Sequence, residues 1–234
     1  MAYWVQKIVV MWLIVLLVSC QNTSNTAQST SLPYYNTPDF TPIFINQPQE
    51  VAQKIPHQIA NFRVYNQKNE LITEALITGK VHVASFFFSS CGGICPQMMK
   101  NMKTVAQKFQ KNPKVIFLSF SVAPWIDSVE KLNKYAKKQQ IEGYHWHLLT
   151  GNKGEIYQLA RQSYFAEEQL GYTKDSTEFL HTEHFLLVDT QKRIRGIYNG
   201  TLALEMEQLS KDIEQLFTTI KLRKMRKLLA LSHF

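Results

Sequence analysis

Two cysteines separated by three residues restrict the fold of this chain more than any other feature. Cys91 and Cys95 follow an apolar segment, 81–88, that predicts a buried strand, and precede a segment, 97–109, that predicts a helix. At such a junction the backbone N–H groups and the positive end of the helix both favour a thiolate over a thiol. Residues at i and i+4 share a helix face with Cα atoms about 6 Å apart, which a disulfide can bridge. The spacing is therefore compatible with soft-metal binding and with disulfide exchange.

The remaining apolar pattern predicts strands and helices that alternate along one domain. The 234 residues are 45% hydrophobic, enough for a single core. Strands are predicted at 59–65, 71–77, 81–88, 114–122, 145–149, 185–189 and 194–198, and helices at 97–109, 128–139, 153–164 and 204–222. This order indicates an α/β fold with a central mixed sheet, helices on both faces and an N-terminal β-hairpin extension. A cysteine pair at the first core strand-to-helix junction of such a sheet is the thioredoxin-like arrangement.

The first twenty residues, 1–20, have the pattern of a bacterial lipoprotein signal. Lys7 is followed by eleven apolar residues, 8–18, and then by Ser19 and Cys20, so we expect Cys20 to be acylated and to become the mature N-terminus. The apolar run is too short to span a bilayer comfortably. We therefore expect a domain lipid-anchored on the periplasmic side of a bacterial membrane. An ordinary signal peptide or a short membrane anchor is the alternative, and either would also place the domain in an oxidising environment outside the cytoplasm.

Residues 21–55 are predicted to be a flexible tether and an extended segment. The first part is rich in Asn, Thr, Ser and Gln without apolar periodicity, and five of the eight prolines lie between 33 and 56. The domain is expected to span 56–220, with its packed core beginning near Pro56. Beyond it, 221–234 is a basic extension, either the solvated end of the last helix or an amphipathic segment for anionic lipid. The formal charge of +8 is otherwise scattered, which argues against nucleic acid as a partner.

The cysteine motif and three later parts of the chain resemble the Sco/SenC family of copper chaperones for cytochrome c oxidase assembly. The first match is the run 79–98, Gly-Lys-Val-His-Val-Ala-Ser-Phe-Phe-Phe-Ser-Ser-Cys-Gly-Gly-Ile-Cys-Pro-Gln-Met. The others are 146–151 together with 156–160, then 181–189, then 194–201. The resemblance covers residues 56–218, which is nearly the whole predicted domain.

The resemblance implies a copper site made of Cys91, Cys95 and His181. His181 is chosen over His184 because it lies eight residues before Asp189, as the family's ligand histidine does. Two thiolates and an imidazole suit Cu(I) and accommodate Cu(II), and three ligands leave the metal open to transfer. The same cysteines are expected to form a redox disulfide, which must be reduced before Cu(I) binds.

By the same resemblance, the expected recipient is the binuclear copper site of cytochrome c oxidase subunit II, or another copper-site apoprotein. A thiol reductant protein is expected as a second partner, and the membrane is contacted through the lipid anchor. Copper passes by ligand exchange, with no covalent bond made in a substrate. We therefore expect a metallochaperone rather than an enzyme.

Three other uses of the cysteines are open on the residues alone. An extracytoplasmic thiol-disulfide oxidoreductase is the main alternative, although such enzymes usually carry Cys-x-x-Cys and a cis-proline loop, and the last proline here is Pro124. A small structural disulfide would not require His181. A structural zinc site normally has four protein ligands, and we find no fourth with suitable spacing.

The chain departs from the family pattern at two places near the expected site. Where family members commonly have Val-Asp-Pro, this chain has Val122-Ala123-Pro124, so we expect no acidic residue beside the metal loop. Leu180 stands where an Asp often precedes the ligand histidine.

Met98 and Met102 are interpreted as core residues because of their helical spacing. The other histidines are interpreted as structural or exposed; they are His57, His82, His145, His147 and His233.

Overall fold

The computed structural model describes residues 31–141, 143–166 and 182–231. The strands are β1 (Tyr34–Tyr35), β2 (Pro42–Ile43), β3 (Arg63–Asn66), β4 (Leu71–Thr73), β5 (Val81–Phe87), β6 (Val115–Ser121), β7 (Trp146–Thr150), β8 (His184–Val188) and β9 (Ile194–Asn199). The α-helices are α1 (Val51–Lys54), α2 (Cys95–Phe109), α3 (Val129–Gln139), α4 (Lys153–Gln158) and α5 (Ala203–Leu231). Short 3-10 helices occupy Pro48–Glu50 and Glu74–Leu76, and Leu159–Ser163 forms a π-helical turn.

The described strands form one mixed sheet in the order β2-β1-β9-β8-β5-β6-β7-β3-β4. β5, β6 and β7 run parallel, and the other neighbours in the sheet pair antiparallel. Because β5 and β6 are buried on both faces, their sequences are almost continuous apolar runs. The predicted α/β class, with a mixed sheet and a β3–β4 hairpin extension at its edge, is confirmed.

Each face of the sheet carries its own apolar core. On one face the strands pack against α2, α3 and α5, represented by Met102, Leu132 and Leu209. On the opposite face they pack against α4 and the π-helical turn, represented by Ile156 and Leu159. The prediction of helices on both faces is therefore confirmed, as is the placement of Met98 and Met102 in the core.

One end of the sheet gathers the chain segments that bear on function. β5 and β6 finish at this end because they are parallel, and β8 begins there because it runs antiparallel to β5. β9 is antiparallel to β8 and so finishes at the same end. The cysteine motif follows β5 at this end, and His184 opens β8 there.

The packed core begins earlier in the chain than Pro56. Tyr34 is only 1% exposed, and the guanidinium carbon of Arg195 lies 3.7 Å from the centre of its ring. Arg195 also donates to the carbonyl oxygens of residues 32 and 33, at 2.5 and 2.8 Å. A second buried arginine, Arg193, donates to the carbonyl oxygen of Ile55 at 2.9 Å. The proline content predicted the lack of long elements here, but not that two arginines of the β8–β9 hairpin bind the segment.

Several element boundaries also differ from those predicted. The closing helix continues to Leu231 rather than ending at residue 222, since the basic extension consists mostly of strong helix formers. The strand predicted at 59–65 begins only at Arg63. The helix predicted at 153–164 is α-helical to Gln158 and then widens into the π-helical turn. Within the described ranges, we find no helix with the length and apolar character needed to cross a bilayer.

Candidate metal centre

A tight turn joins β5 to α2 and carries both cysteines. The N–H of Cys91 donates to the carbonyl oxygen of Phe88 at 3.1 Å, which closes the turn. Cys95 is the first residue of α2, and Pro96 lies in the first turn of the helix, where its missing N–H has no intrahelical partner to lose. Both cysteines are free thiols; Cys91 is partly exposed and Cys95 is buried. The predicted strand-to-helix junction is thus the location of the pair.

The backbone around Cys91 favours its thiolate. Partial burial raises the pKa of this thiol, but hydrogen bonds from the backbone N–H groups of Cys95, Gly93 and Ile94 and from the Cys95 thiol outweigh it, so the pKa lies below its ordinary value. The Gly93 N–H is 3.4 Å from the Cys91 sulfur. Cys91 is therefore the sulfur that loses its proton first.

Cys95 has the opposite character. Burial raises the pKa of this thiol to about 11. A hydrogen bond with the Phe88 backbone opposes the increase, and the hydrogen bond to the Cys91 sulfur and the negative charge there add to it. In the metal-free pair Cys91 therefore loses its proton before Cys95 does. Once Cys91 has lost its proton, the pair can attack a disulfide, and it can bind a soft metal when the second proton leaves.

Asp127 is an acidic residue beside the motif that the sequence did not lead us to expect. Its carboxylate is fully buried and accepts hydrogen bonds from the Ser89 N–H at 3.1 Å and the Ser89 hydroxyl at 2.5 Å. The Ser121 hydroxyl donates to it at 2.7 Å. The expectation based on Ala123 is therefore wrong, because the carboxylate that contacts the loop comes from four residues further along the chain.

Two further side chains next to the motif were also missed. The ammonium group of Lys131 lies 3.3 Å from the Asp127 carboxylate and donates to the Ser90 hydroxyl at 2.7 Å. The ring of Tyr135 lies 5.8 Å from that of Phe87, and burial first, then the negative charges of Cys95, Asp127 and Cys91, raise the pKa of the Tyr135 hydroxyl to about 12. Both residues lie on α3. The sequence predicted this helix, but it did not predict that the helix would lie beside the cysteine turn.

The predicted histidine ligand, His181, lies outside the described residues, as does the predicted lipidation site, Cys20. The fallback histidine, His184, is described, and its ring lies edge-on to Phe40 at 6.0 Å. Phe40 packs on the core that includes Ile156, whereas Cys91 and Cys95 belong to the core on the other face of the sheet. The structure therefore does not bring His184 together with the cysteines.

Among the described residues, no three His, Cys, Asp or Glu side chains are grouped so that they could hold a metal ion. Three of the described histidines have structural partners. His82 is fully buried with its Nε2 atom 3.0 Å from the Tyr164 hydroxyl, and His57 Nε2 is 2.8 Å from the Ser163 carbonyl oxygen. His147 Nδ1 is 3.2 Å from the Asn66 amide nitrogen. Their interpretation as structural residues agrees with these contacts.

Comparison with known proteins decides the family. The SCO1/SenC family model matches residues 50–218. The chain belongs to the SCO1/SenC family. Its sequence is 27% identical to the SCO1 protein homolog of Bacillus subtilis strain 168 over 172 residues, which is 73% of this chain and 88% of that protein.

Solved structures of Sco proteins have the same fold. A SCO1/SenC family lipoprotein from Bacillus anthracis str. Ames is 26% identical, with a TM-score of 0.60 over 68% of this chain and 95% of its own. BsSco, a Sco family cytochrome c oxidase assembly protein with an identified disulfide switch, is 26% identical, with a TM-score of 0.58 over 69% and 94%. Bradyrhizobium japonicum ScoI with copper bound is 22% identical and supports the fold, with a TM-score of 0.54 over 67% and 98%.

Proposed function

We propose that this SCO1/SenC protein is an extracytoplasmic copper metallochaperone that holds copper as cargo on Cys91, Cys95 and His181. The observation that carries the proposal is the asymmetric thiol pair, one partly exposed with a lowered pKa and one buried, at the end of β5. Thiolates are the ligands that Cu(I) prefers, and an imidazole completes a set of three. The residues present therefore fit the metal.

The topology supports His181 as the third ligand. β8 starts at the end of the sheet where β5 finishes, and His181 comes three residues before the first residue of β8. The chain therefore reaches β8 from the end that carries the cysteines. His184 is the weaker candidate because its ring packs against Phe40 on the opposite face.

The surface beside Cys91 suits transfer of the metal to another protein. Cys91 is partly exposed, and a Cβ atom placed on Gly92 would meet no heavy atom within 4 Å. A recipient thiol or imidazole can approach the metal there and exchange ligands one at a time. The recipient we infer is the binuclear copper site of cytochrome c oxidase subunit II, since BsSco is an oxidase assembly protein.

The proposed location is the periplasmic side of a bacterial membrane, with the chain anchored by an acylated Cys20. The pattern of residues 1–20 is the basis for this, and the Bacillus anthracis relative is a lipoprotein. In that oxidising location the cysteine pair needs a thiol reductant protein as a partner before Cu(I) can bind. Disulfide exchange is then the step that prepares the pair. The Sco relatives favour copper handling over a separate oxidoreductase function.

Competitive titration with Cu(I) tests the ligand set. Reduced wild type, His181→Ala and His184→Ala compete with a Cu(I) chelator under anaerobic conditions. Because removing one of three ligands exposes the metal, we expect the affinity of His181→Ala to fall at least about tenfold. His184→Ala serves as the matched control and keeps the wild-type affinity. A loss confined to His184→Ala would reject the proposed ligand set.

A second assay tests the proposed transfer. Copper-loaded protein is mixed with the metal-free copper domain of oxidase subunit II, and filling of the binuclear site is followed by its absorption. The wild type should load the site, whereas Cys91→Ala should not. Rapid disulfide reductase turnover with no copper transfer would instead favour the oxidoreductase.

A further inference from the structure

We propose that Asp127 is a positioning residue for the cysteine pair: its carboxylate holds the turn before Cys91, Lys131 closes that turn from the solvent side, and together they fix the separation of the two sulfurs. This rests on the proposed function only in treating Cys91 and Cys95 as the reactive pair. Neither Asp127 nor Lys131 touches the sulfurs in the hydrogen bonds described, so both act through the backbone of residues 88–91.

The carboxylate binds the turn at two points. One oxygen of Asp127 accepts the backbone N–H of Ser89, and the other accepts the Ser89 hydroxyl. Ser89 is the second residue of the turn that the Cys91 N–H closes on the Phe88 carbonyl. Rotation of this turn would carry Cys91 away from Cys95, whose position is fixed separately by α2.

The same carboxylate connects the turn to the next strand. Ser121, the last residue of β6, donates its hydroxyl to Asp127 at 2.7 Å, and the Ala123 N–H donates to the Ser121 hydroxyl at 3.1 Å. The N–H groups of Ile126 and Asp127 both donate to the Ala123 carbonyl at 2.8 Å, which folds this loop back toward β5. Asp127 thus ties the ends of two parallel strands together.

A role limited to helix capping does not account for this carboxylate. The N-cap of α3 is Ser128, whose hydroxyl accepts the Lys131 N–H at 3.2 Å. The hydrogen bonds that Asp127 accepts come from Ser89 and Ser121, on the preceding loop and strand. A fully buried carboxylate is costly unless it is hydrogen-bonded and paired, so this arrangement is stable only with the turn in place.

Lys131 completes the arrangement on the exposed side. Its side chain is 36% exposed, and its ammonium group bridges the Asp127 carboxylate and the Ser90 hydroxyl. It also lies 5.7 Å from the centre of the Phe88 ring. The three residues between β5 and Cys91 are therefore each contacted by Asp127 or Lys131.

Asp127→Asn is the informative variant because it keeps the size of the side chain but removes its charge and one acceptor. Asp189→Asn is the matched control. Asp189 is also a buried carboxylate that accepts two backbone N–H groups, from Gln191 and Arg193, and pairs with a cation, Arg195, but it follows β8 at the other end of the sheet.

The readout is the equilibrium of the thiol pair with glutathione in the full-length protein. The two protein thiols give up two electrons and two protons, one S–S bond forms between Cys91 and Cys95, and one oxidised glutathione is cleaved to two reduced molecules. With the turn loosened, the sulfurs spend less time within bonding distance. We expect the equilibrium constant for disulfide formation to fall about tenfold in Asp127→Asn, a shift of about 30 mV, and to be unchanged in Asp189→Asn.

Two further variants keep the test decisive if Asp127→Asn does not fold. Ser89→Ala removes one of the hydrogen bonds to the carboxylate, and Lys131→Met removes the ammonium group; each should lower the constant by a smaller factor. A wild-type constant in every folded variant, or an equal change in Asp189→Asn, would overturn the proposal. The glutathione equilibrium needs no copper, so failure of wild type to bind Cu(I) would reject the proposed function and leave this result standing.

Discussion

Cys91 and Cys95 lie in the same turn, one partly exposed and one buried, and the pKa values of their thiols are displaced in opposite directions. The pKa of Cys91 is lowered because backbone N–H groups surround its sulfur, and that of Cys95 is raised to about 11 because it is buried. The Cys91 sulfur is thus prepared to react first. The buried Cys95 thiol keeps its proton until Cys91 has moved or bound a metal.

The first prediction concerns the order of alkylation. Limiting iodoacetamide at pH 8 should modify Cys91 before Cys95, because only the thiolate reacts and only Cys91 has a lowered pKa. Peptide mass mapping at short reaction times measures the ratio, which we expect to exceed about tenfold. The same reaction in denaturant should remove the preference. Equal labelling in the folded protein would contradict the described environments.

The second prediction concerns acid stability and His82. This fully buried imidazole has its pKa lowered from 6.5 to about 3 by burial, and no residue in the described part of the chain forms a hydrogen bond with its Nδ1 atom. The unfolded chain binds the proton below pH 6.5 and the folded protein does not, so stability falls as the pH drops from 6.5 toward 3. Well below pH 6.5 this contributes about 1.4 kcal/mol per pH unit.

Urea unfolding at several pH values measures this contribution. His82→Gln cannot take up the proton, so its stability should depend less on pH across that range. Tyr164→Phe removes the hydroxyl that contacts His82 but keeps the imidazole, and it should retain the wild-type slope. Identical slopes in wild type and His82→Gln would show that another group is responsible.

The third prediction tests the close packing at Gly200. A Cβ atom there would lie 2.6 Å from the Phe185 ring and 2.9 Å from the Glu183 carbonyl oxygen. Because both belong to the segment at the start of β8, Gly200→Ala should destabilise the protein by about 1–3 kcal/mol. Gly92→Ala is the control, since a Cβ atom there meets nothing within 4 Å. Thermal unfolding compares the two, and equal melting temperatures would contradict the packing.

The fourth prediction tests whether the residues before Pro56 belong to the domain. Arg195→Met removes the contacts to Tyr34 and to two carbonyl oxygens and leaves the buried Asp189 without its cation. Loss of one partner of a buried pair costs about 3–5 kcal/mol. Chymotrypsin should also cut faster at Tyr34 and Tyr35. Lys54→Met, which breaks only an exposed ion pair with Glu50, should cost less than about 1 kcal/mol and leave cleavage unchanged.

The parts of the fold that the sequence predicted are those whose signal is local. β5, β6 and α2 each follow from apolar runs or helical spacing, and the cysteines follow from their position between two of these elements. The π-helical turn at Leu159–Ser163 has no such local signal. The packing of Tyr34 depends on Arg195, far along the chain, and a proline-rich segment gives no indication of that contact.

The candidate site likewise contains residues that a local motif predicted and residues that it did not. Cys91 and Cys95 could be chosen from the motif, whereas Asp127 could not, because inspection of the family pattern led to position 123 instead. A turn after β6 brings Asp127 back to Ser89, and this return is a tertiary feature. His181 stays a prediction from the motif register, since it lies outside the described residues.

The attachment of the cysteine turn to Asp127 matters for protein engineering. Grafting the octapeptide from Ser89 to Pro96 onto another strand-to-helix junction would transfer the sulfurs without the groups that orient them. A transplant would need Ser121, Asp127 and Lys131 at matching places on the neighbouring strand and helix. The smallest portable unit is therefore two adjacent parallel strands with the loops and the first helical turns that follow them.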